Sequence, residues 1–222
     1  KKIYQQILKQ DPKQADATHM LGVLAYRVEK HQLAVELITR AITIRPDFAA
    51  AHCNLGLVLN ALGKLEDAVA SYRKALSLNP DYAEAHYNLG VTLQGSRKLE
   101  EAIVSYQKSL DINPDQPRAL YNKGNAFKEL GKIDDAITHY RAALQLEPDF
   151  PEPRYNLGVT LQQLGELEEA IISYYRALKV RPQYVQAHNT HKVRFYSGSG
   201  ARKYDKESIC FEIERGLKQG DC

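Results

Sequence analysis

Residues 49–82 read AAAHCNLGLVLNALGKLEDAVASYRKALSLNPDY, and the same order of small, apolar and proline residues returns every 34 residues along the chain. Six prolines keep this period without a slip: Pro12, Pro46, Pro80, Pro114, Pro148 and Pro182. A strict period of this length indicates a stack of similar structural units, because each unit buries its apolar face against its neighbours. The sequence therefore predicts a repeat architecture rather than one globular core, and its function should depend on the surface that the stack presents.

Five complete repeats can be aligned over residues 15–184, and we number the positions 1 to 34 within each repeat. Position 8 is always glycine: Gly22, Gly56, Gly90, Gly124 and Gly158. Position 20 is always alanine: Ala34, Ala68, Ala102, Ala136 and Ala170. Position 24 is always large: Ile38, Tyr72, Tyr106, Tyr140 and Tyr174. Small residues at recurring positions let two helices approach closely, and the large residues fill the space beside them.

Each repeat contains two stretches of helical periodicity with a break between them, as the stripe through Leu55 and Leu59 shows for the second repeat. Three repeats have glycine at the break, where a helix favours a left-handed last residue: Gly63, Gly131 and Gly165. The third repeat has Gly95-Ser96-Arg97 there, so we expect its first helix to end early. The second helix should end before the proline at position 32. Pro117 and Pro151 should open the first helices of their repeats.

The recurring pattern has leucine-glycine at positions 7 and 8, alanine at 20, an aromatic residue at 24, alanine at 27 and proline at 32, and it resembles the tetratricopeptide repeat. One departure is Lys123, which replaces leucine at position 7 of the fourth repeat. The resemblance implies an all-α fold, a right-handed superhelical solenoid of antiparallel helix pairs. In such a solenoid the first helix of each repeat (helix A) lines a concave groove, and the second helix (helix B) lies behind it.

Three segments follow from this alignment. Residues 1–14 match helix B of a truncated leading repeat, and we expect Ile3 and Ile7 to pack on the next helix A. Because the chain opens inside a repeat, we expect it to be a fragment of a longer protein. Residues 15–184 are the five complete repeats. Residues 185–222 are expected to form a capping segment over 185–192 and an irregular tail, with a short amphipathic helix near 205–217.

Charge and composition narrow the class of partner. The net charge is +3, but residues 15–184 carry 19 basic and 21 acidic side chains, so the repeats lack the clustered positive charge that nucleic-acid binding requires. No apolar run reaches the roughly 18–20 residues needed to cross a bilayer, so we expect no membrane partner. The three scattered cysteines form no disulfide framework, which favours a reducing, cytoplasmic location.

The sequence offers little for catalysis or metal binding. His188 and His191 lie one helical turn apart and could join Cys210 or Cys222 around zinc, but we interpret them as solvated surface residues. Residues 198–203, GSGARK, could cradle a phosphate, but they lack the Walker spacing and we interpret them as a flexible linker. We therefore predict no catalytic residue, no metal, no cofactor and no enzymatic activity.

Asparagine recurs at position 6 in four repeats: Asn54, Asn88, Asn122 and Asn156. Asparagine is a poor helix former, and its amide offers both a donor and an acceptor, which match the N–H and C=O of an extended peptide. The alternative is that these side chains satisfy neighbouring groups between helices. The repeats also resemble the repeat arm of O-linked N-acetylglucosamine transferases, in which an asparagine ladder holds acceptor peptides. That resemblance implies that the four asparagines contact a peptide.

Further side chains should line the same groove if the family geometry holds. Position 5 contributes three tyrosines, Tyr87, Tyr121 and Tyr155. Positions 9 and 12 contribute polar side chains: Asn125, Gln94, Lys128 and Gln162. Tyrosines beside amides make a good recognition surface, because they combine a large apolar area with a polar tip. The alternative is that the tyrosines wedge between adjacent helices A.

These features predict a protein-interaction scaffold that binds an extended peptide or partner segment in its groove. A first alternative is the substrate-recruiting arm of a larger enzyme of the glycosyltransferase type, whose catalytic domain lies elsewhere. A second is a self-associating structural module, which would form homo-oligomers through the exposed ends of the array.

Overall fold

The computed structural model describes residues 11, 13–181, 195–197 and 200–202. Residues 1–10 of the predicted leading helix B, the predicted cap at 185–192 and the predicted helix near 205–217 therefore lie outside the described residues. So do the histidines and cysteines of the hypothetical zinc group.

The described repeats are helical, two helices to each repeat. The helices A are α1 (Ala15–Arg27), α3 (Ala49–Ala61), α5 (Ala83–Gly95), α7 (Pro117–Glu129) and α9 (Pro151–Leu164). The helices B are α2 (His31–Ile44), α4 (Leu65–Leu78), α6 (Leu99–Ile112), α8 (Ile133–Leu146) and α10 (Leu167–Val180). The predicted all-α class is confirmed for the repeats, and two helices A begin at proline, as expected. None of the described helices is long and apolar enough to span a bilayer.

The chain divides into two compact units, residues 1–115 (the N-terminal unit) and residues 116–222 (the C-terminal unit). The N-terminal unit contains α1 to α6, and the C-terminal unit contains α7 to α10. Within each unit, every helix packs against the next helix along the chain, so the helix pairs stack in sequence order. This is the arrangement that a repeating apolar face requires, because each pair buries its face against its neighbour.

Helices A and B of each repeat meet at the glycine of position 8 and the large residue of position 24. A β-carbon built on Gly56 would lie 2.7 Å from Cε1 of Tyr72, and one built on Gly90 would lie 2.7 Å from Cδ1 of Tyr106. Both tyrosines are fully buried. The close approach therefore leaves room only for glycine, which confirms the predicted pairing of small and large positions.

The tyrosines of position 24 belong to the apolar cores of both units. In the N-terminal unit, Tyr72 and Tyr106 pack in one cluster with Leu93. In the C-terminal unit, Tyr140 packs in a cluster with Leu161. Burying each aliphatic side chain contributes roughly 1.5–3 kcal/mol, so the recurring apolar positions stabilise the packing of the helix pairs within each unit.

The breaks between helices A and B follow the prediction in three repeats and correct it in one. Gly63, Gly131 and Gly165 have positive φ angles of 73°, 75° and 84°. In the third repeat, α5 is as long as α3, 13 residues, so the expectation of an early end was wrong. Arg97 takes the left-handed conformation there, with φ 63°. Backbone contacts on either side of Arg97 hold the turn in this conformation, although Arg97 is not a glycine.

We predict that Arg97→Gly stabilises the protein. A left-handed conformation costs a non-glycine residue about 1–2 kcal/mol, and the greater freedom of glycine in the unfolded chain cancels part of this gain, so the free energy of unfolding should rise by about 0.5–1 kcal/mol. Urea denaturation measures the change. Gly63→Ala is the matched control and should lower stability by a similar amount; stability that falls in Arg97→Gly would contradict the prediction.

Side chains at position 4 close the turn between consecutive repeats, a role that the sequence did not reveal. An imidazole nitrogen of His86 hydrogen-bonds to the carbonyl oxygen of Pro80 at 2.9 Å, and one of His52 to that of Pro46 at 3.0 Å. In the fifth repeat Arg154 donates to the carbonyl of Pro148. The proline of position 32 thus ends helix B and also offers an acceptor to the next helix A.

The described tail residues contain two short strands, β1 (Phe195–Ser197) and β2 (Gly200–Arg202). They pair antiparallel, with Phe195 opposite Arg202. The interpretation of residues 198–203 as a flexible linker was therefore wrong for the part that forms β2. The helical periodicity of the repeats gave no signal for this pair, which lies outside them.

Candidate peptide-binding face

The predicted site residues occupy positions 5, 6, 9 and 12 of the helices A. These spacings of one, three, four and seven residues place them along one side of a helix. We call this side the A-helix face and describe it separately in the two units. In both units its asparagines and tyrosines are half-buried.

In the N-terminal unit, the position-6 amides bond to position 5 of the preceding repeat. Asn54 Nδ2 lies 2.8 Å from Nε2 of His19. Burial lowers the pKa of His19, and the nearby Arg45 guanidinium lowers it further against the opposing effect of Asp16. The imidazole is therefore neutral near pH 7, and its Nε2 can accept a hydrogen from the Asn54 amide.

The next repeat of the N-terminal unit uses a thiol in the same way. Cys53 interacts with the side chains of Tyr82 and Asn88 and is 1% exposed. Burial raises the pKa of the Cys53 thiol to about 12, with a smaller contribution from the Glu84 carboxylate. The thiol is therefore protonated and unreactive, and it interacts with the Asn88 amide.

In the C-terminal unit, the amides form a network with two tyrosines. Asn156 Nδ2 donates to Asn125 Oδ1 at 2.9 Å and to Tyr121 Oη at 3.2 Å. The hydroxyl of Tyr140 donates to the same Asn125 oxygen at 2.8 Å. Both amide hydrogens of Asn156 and both lone pairs of Asn125 Oδ1 are therefore used within the protein.

These contacts give the position-6 amides a structural role in linking neighbouring helices A. In Asn156 only Oδ1 is left for a ligand, so this side chain cannot grip a peptide with donor and acceptor together. The alternative that the asparagines satisfy groups between helices thus describes Asn54, Asn88 and Asn156. Peptide contact by the four asparagines stays a prediction.

Two glutamines at position 12 hold the tyrosines of helix B. The hydroxyl of Tyr106 donates to Gln94 Oε1, and that of Tyr174 donates to Gln162 Oε1, both at 2.9 Å. A buried phenol needs such an acceptor. Gln94 and Gln162 therefore each satisfy the hydroxyl of the position-24 tyrosine in their own repeat.

The position-5 tyrosines pack against the position-24 tyrosines of their own repeats. The ring centroids of Tyr87 and Tyr106 lie 6.1 Å apart. Tyr121 packs against Tyr140 at 6.0 Å and against Phe150 at 5.4 Å. The tyrosines therefore pack mainly against the large aromatic residues of their own repeats, and their side chains are half-buried.

Lys128 differs from the other residues at position 12. It is half-buried, and burial lowers the pKa of its ammonium group. Among residues 13–181, no carboxylate forms an ion pair with it. The sequence placed Lys128 on this face but did not show that its charge is uncompensated.

Family models of the tetratricopeptide repeat match along most of the chain. The model described as "TPR repeat" matches residues 58–96, 98–131 and 124–165. Two models described as "Tetratricopeptide repeat" match residues 151–184 and 1–49. The chain belongs to the tetratricopeptide repeat family.

Solved structures of tetratricopeptide repeat proteins share its fold. YrrB, described as "a TPR protein with an unusual peptide-binding site", matches with a TM-score of 0.70 and 20% identity over 83% of this chain and 95% of YrrB. A MamA structure matches with a TM-score of 0.70 and 22% identity, and the match covers 74% of this chain and 96% of that MamA chain. MamA from Desulfovibrio magneticus RS-1 matches with a TM-score of 0.71 and 18% identity, and the match covers 77% of this chain and 96% of that MamA chain. A comparison with curated proteins found no match.

Proposed function

We propose that this tetratricopeptide repeat chain is a non-catalytic scaffold that binds an extended peptide or partner segment along its A-helix face. The observation that carries the proposal is the set of half-buried tyrosines and amides on helices A, found on α5 of the N-terminal unit and, separately, on α7 and α9 of the C-terminal unit. The proposed contacts are the asparagines of position 6 together with Tyr87, Tyr121, Tyr155, Asn125, Gln94, Lys128 and Gln162. YrrB shares the fold and has a peptide-binding site of its own, which supports the same use of the repeats.

The hydrogen-bonding pattern predicts modest affinity. Each net hydrogen bond to a peptide contributes about 0.5–1.5 kcal/mol, and ordering the peptide costs about 1–2 kcal/mol per residue. Because the amides already spend part of their capacity within the protein, the tyrosine edges must supply much of the binding energy. The recruiting arm of a glycosyltransferase would present the same surface, and the sequence of a parent protein would distinguish it from a free-standing scaffold.

The test is a titration of the isotope-labelled chain with a panel of short synthetic peptides of varied composition, followed by NMR. The chemical-shift changes caused by peptide binding should cluster at positions 5, 6, 9 and 12 of the helices A. Changing Asn88 and Asn122 together to alanine should weaken binding at least about tenfold, which corresponds to about 1.4 kcal/mol.

Asn79→Ala is the matched control, because Asn79 is exposed at the end of α4 and lies off the A-helix face. It should leave binding unchanged. Shifts confined to the helices B would overturn the proposal. So would unchanged binding in the double variant together with a large loss of thermal stability, since the ladder would then be purely structural.

A further inference from the structure

The fourth repeat carries a cation where the third and fifth carry an amide. Position 12 is Gln94 in α5 and Gln162 in α9, and each accepts the hydroxyl hydrogen of the tyrosine at position 24. Lys128 holds this position in α7, and an ammonium group cannot accept a hydrogen bond. The hydroxyl of Tyr140 donates instead to Asn125 Oδ1 at 2.8 Å. In the repeat that carries Lys128, the position-24 hydroxyl therefore uses an acceptor at position 9 in place of one at position 12.

That arrangement determines which atoms of the C-terminal unit remain for a ligand. Asn125 Oδ1 accepts from both Tyr140 and Asn156, so the amide of Asn125 has only its N–H donors left. Tyr121 Oη accepts from Asn156, which leaves the phenolic O–H of Tyr121 to donate outward. Asn156 orients both groups and is a positioning residue in this network.

At positions 5, 9 and 12 of α7, the groups that remain for a ligand are therefore donors. Tyr121, Asn125 and Lys128 are spaced at positions 5, 9 and 12, which lie one above another on one side of a helix. They offer a hydroxyl, an amide and an ammonium group, all half-buried. A ligand that meets them must bring acceptors, and the ammonium group calls for a negatively charged one.

The charges around Lys128 leave its ammonium group available. Burial lowers the pKa of Lys128, and none of the ion pairs among the described residues includes it. On α9, Glu152 is paired with Arg181 at 3.3 Å. The other acids at the helix ends are exposed, as Asp134 and Asp135 are at the start of α8.

We propose that the A-helix face of the C-terminal unit selects peptide segments that carry an aspartate or glutamate, with Lys128 as the specificity-determining residue and Tyr121 and Asn125 as accompanying donors. This inference rests on the proposed function, because it names the chemistry of the segment bound at that face. The occupant is an acidic, extended peptide segment. The argument from charge complementarity is specific to the C-terminal unit, since position 12 of the three repeats in the N-terminal unit carries the uncharged Tyr26, Asn60 and Gln94.

The test compares three short fluorescent peptides of equal length that alternate serine with glutamate, glutamine or lysine. At low salt the glutamate peptide should bind at least about tenfold more tightly than the glutamine peptide, because a hydrogen bond to a charged group is the stronger one. The lysine peptide should bind most weakly. Added salt should reduce the preference.

Lys128→Gln is the decisive variant, because glutamine is the residue that the third and fifth repeats carry at this position. The variant should fold, and its glutamine can accept the Tyr140 hydroxyl. The preference for glutamate over glutamine peptides should disappear while binding of the glutamine peptide persists. A preference that survives Lys128→Gln would overturn the inference.

Two aspartate variants test which way the side-chain amides of Asn125 and Asn156 are oriented, independently of Lys128. Asn125→Asp keeps an inward acceptor for Tyr140 and Asn156 and turns an oxygen outward, so melting temperature should change little and binding of the glutamate peptide should fall. Asn156→Asp removes both inward donors and should lower melting temperature. The opposite pattern of melting temperatures would show that the amides point the other way and would overturn the donor assignment.

The outcomes separate this inference from the proposed function. If the peptides bind the A-helix face equally well, the selectivity is wrong and the scaffold proposal stands. If none of the three peptides binds at any accessible concentration, the selectivity is wrong as well. The panel of varied peptides then decides whether the scaffold proposal also fails.

Discussion

Replacing Tyr106 by alanine should lower the free energy of unfolding of the N-terminal unit by about 3–5 kcal/mol, the usual cost of removing a large aromatic side chain from a core. The ring is fully buried in the cluster that joins α3, α4, α5 and α6. It fills the space above Gly90, and its hydroxyl donates to Gln94 at 2.9 Å. Alanine would leave a cavity and remove this hydrogen bond. Guanidinium denaturation followed by circular dichroism measures the loss.

Tyr106→Phe is the matched control for this prediction. It retains the ring and removes only the hydrogen bond, so it should cost about 1 kcal/mol. A similar loss in both variants would mean that the hydroxyl, rather than the packing of the ring, holds the helices together. A small loss in Tyr106→Ala would contradict the close packing of α5 against α6.

Gly90→Leu should destabilise the same unit by about 3 kcal/mol or more, the upper range for overpacking a core. Even a β-carbon at this position would lie 2.7 Å from Cδ1 and from Cε1 of Tyr106. The ring cannot move aside cheaply, because it is buried and hydrogen-bonded. Helices α5 and α6 would therefore have to separate, which would lose their shared contacts. Thermal denaturation of the variant measures the effect.

Gly95→Ala is the control for this prediction, because it should not lower the stability of the protein. Gly95 is the last residue of α5, and a β-carbon built there meets nothing within 4 Å. Because alanine is the better helix former, the change should be neutral or stabilising by up to about 1 kcal/mol. If both glycine variants were destabilised alike, glycine would matter here for its backbone freedom and not for the approach of the two helices.

These contacts also bear on function, because the side chains of the core hold the candidate face. Gln94 and Gln162 accept hydrogens from the tyrosines of position 24, and Asn125 takes this role in the fourth repeat, which has lysine at position 12. A change in the core at position 24 should therefore alter the orientation of amides on the A-helix face. If the proposed site binds a ligand, stability and ligand selection should depend on the same hydroxyl groups.

The repeating sequence by itself determined the fold class, the helix pairs and the positions that face the core. The period of 34 residues, the glycines of position 8 and the large residues of position 24 are local signals, and each is present in every repeat. The left-handed turns at Gly63, Gly131 and Gly165 were predictable for the same reason. Arg97 was not, because surrounding contacts imposed a conformation that its own preference opposes.

Only the tertiary structure decided what the polar side chains do. The sequence showed asparagines of equal spacing, but not that Asn156 turns both its donors toward residues 31 and 35 positions earlier. Nor could it show that Tyr140 uses Asn125 where other repeats use glutamine. A side-chain amide has two donors and one acceptor group, and which of them faces outward depends on the partners that distant repeats bring within reach. Spacing fixes where a residue stands on a helix, whereas packing fixes which of its atoms are left for a ligand.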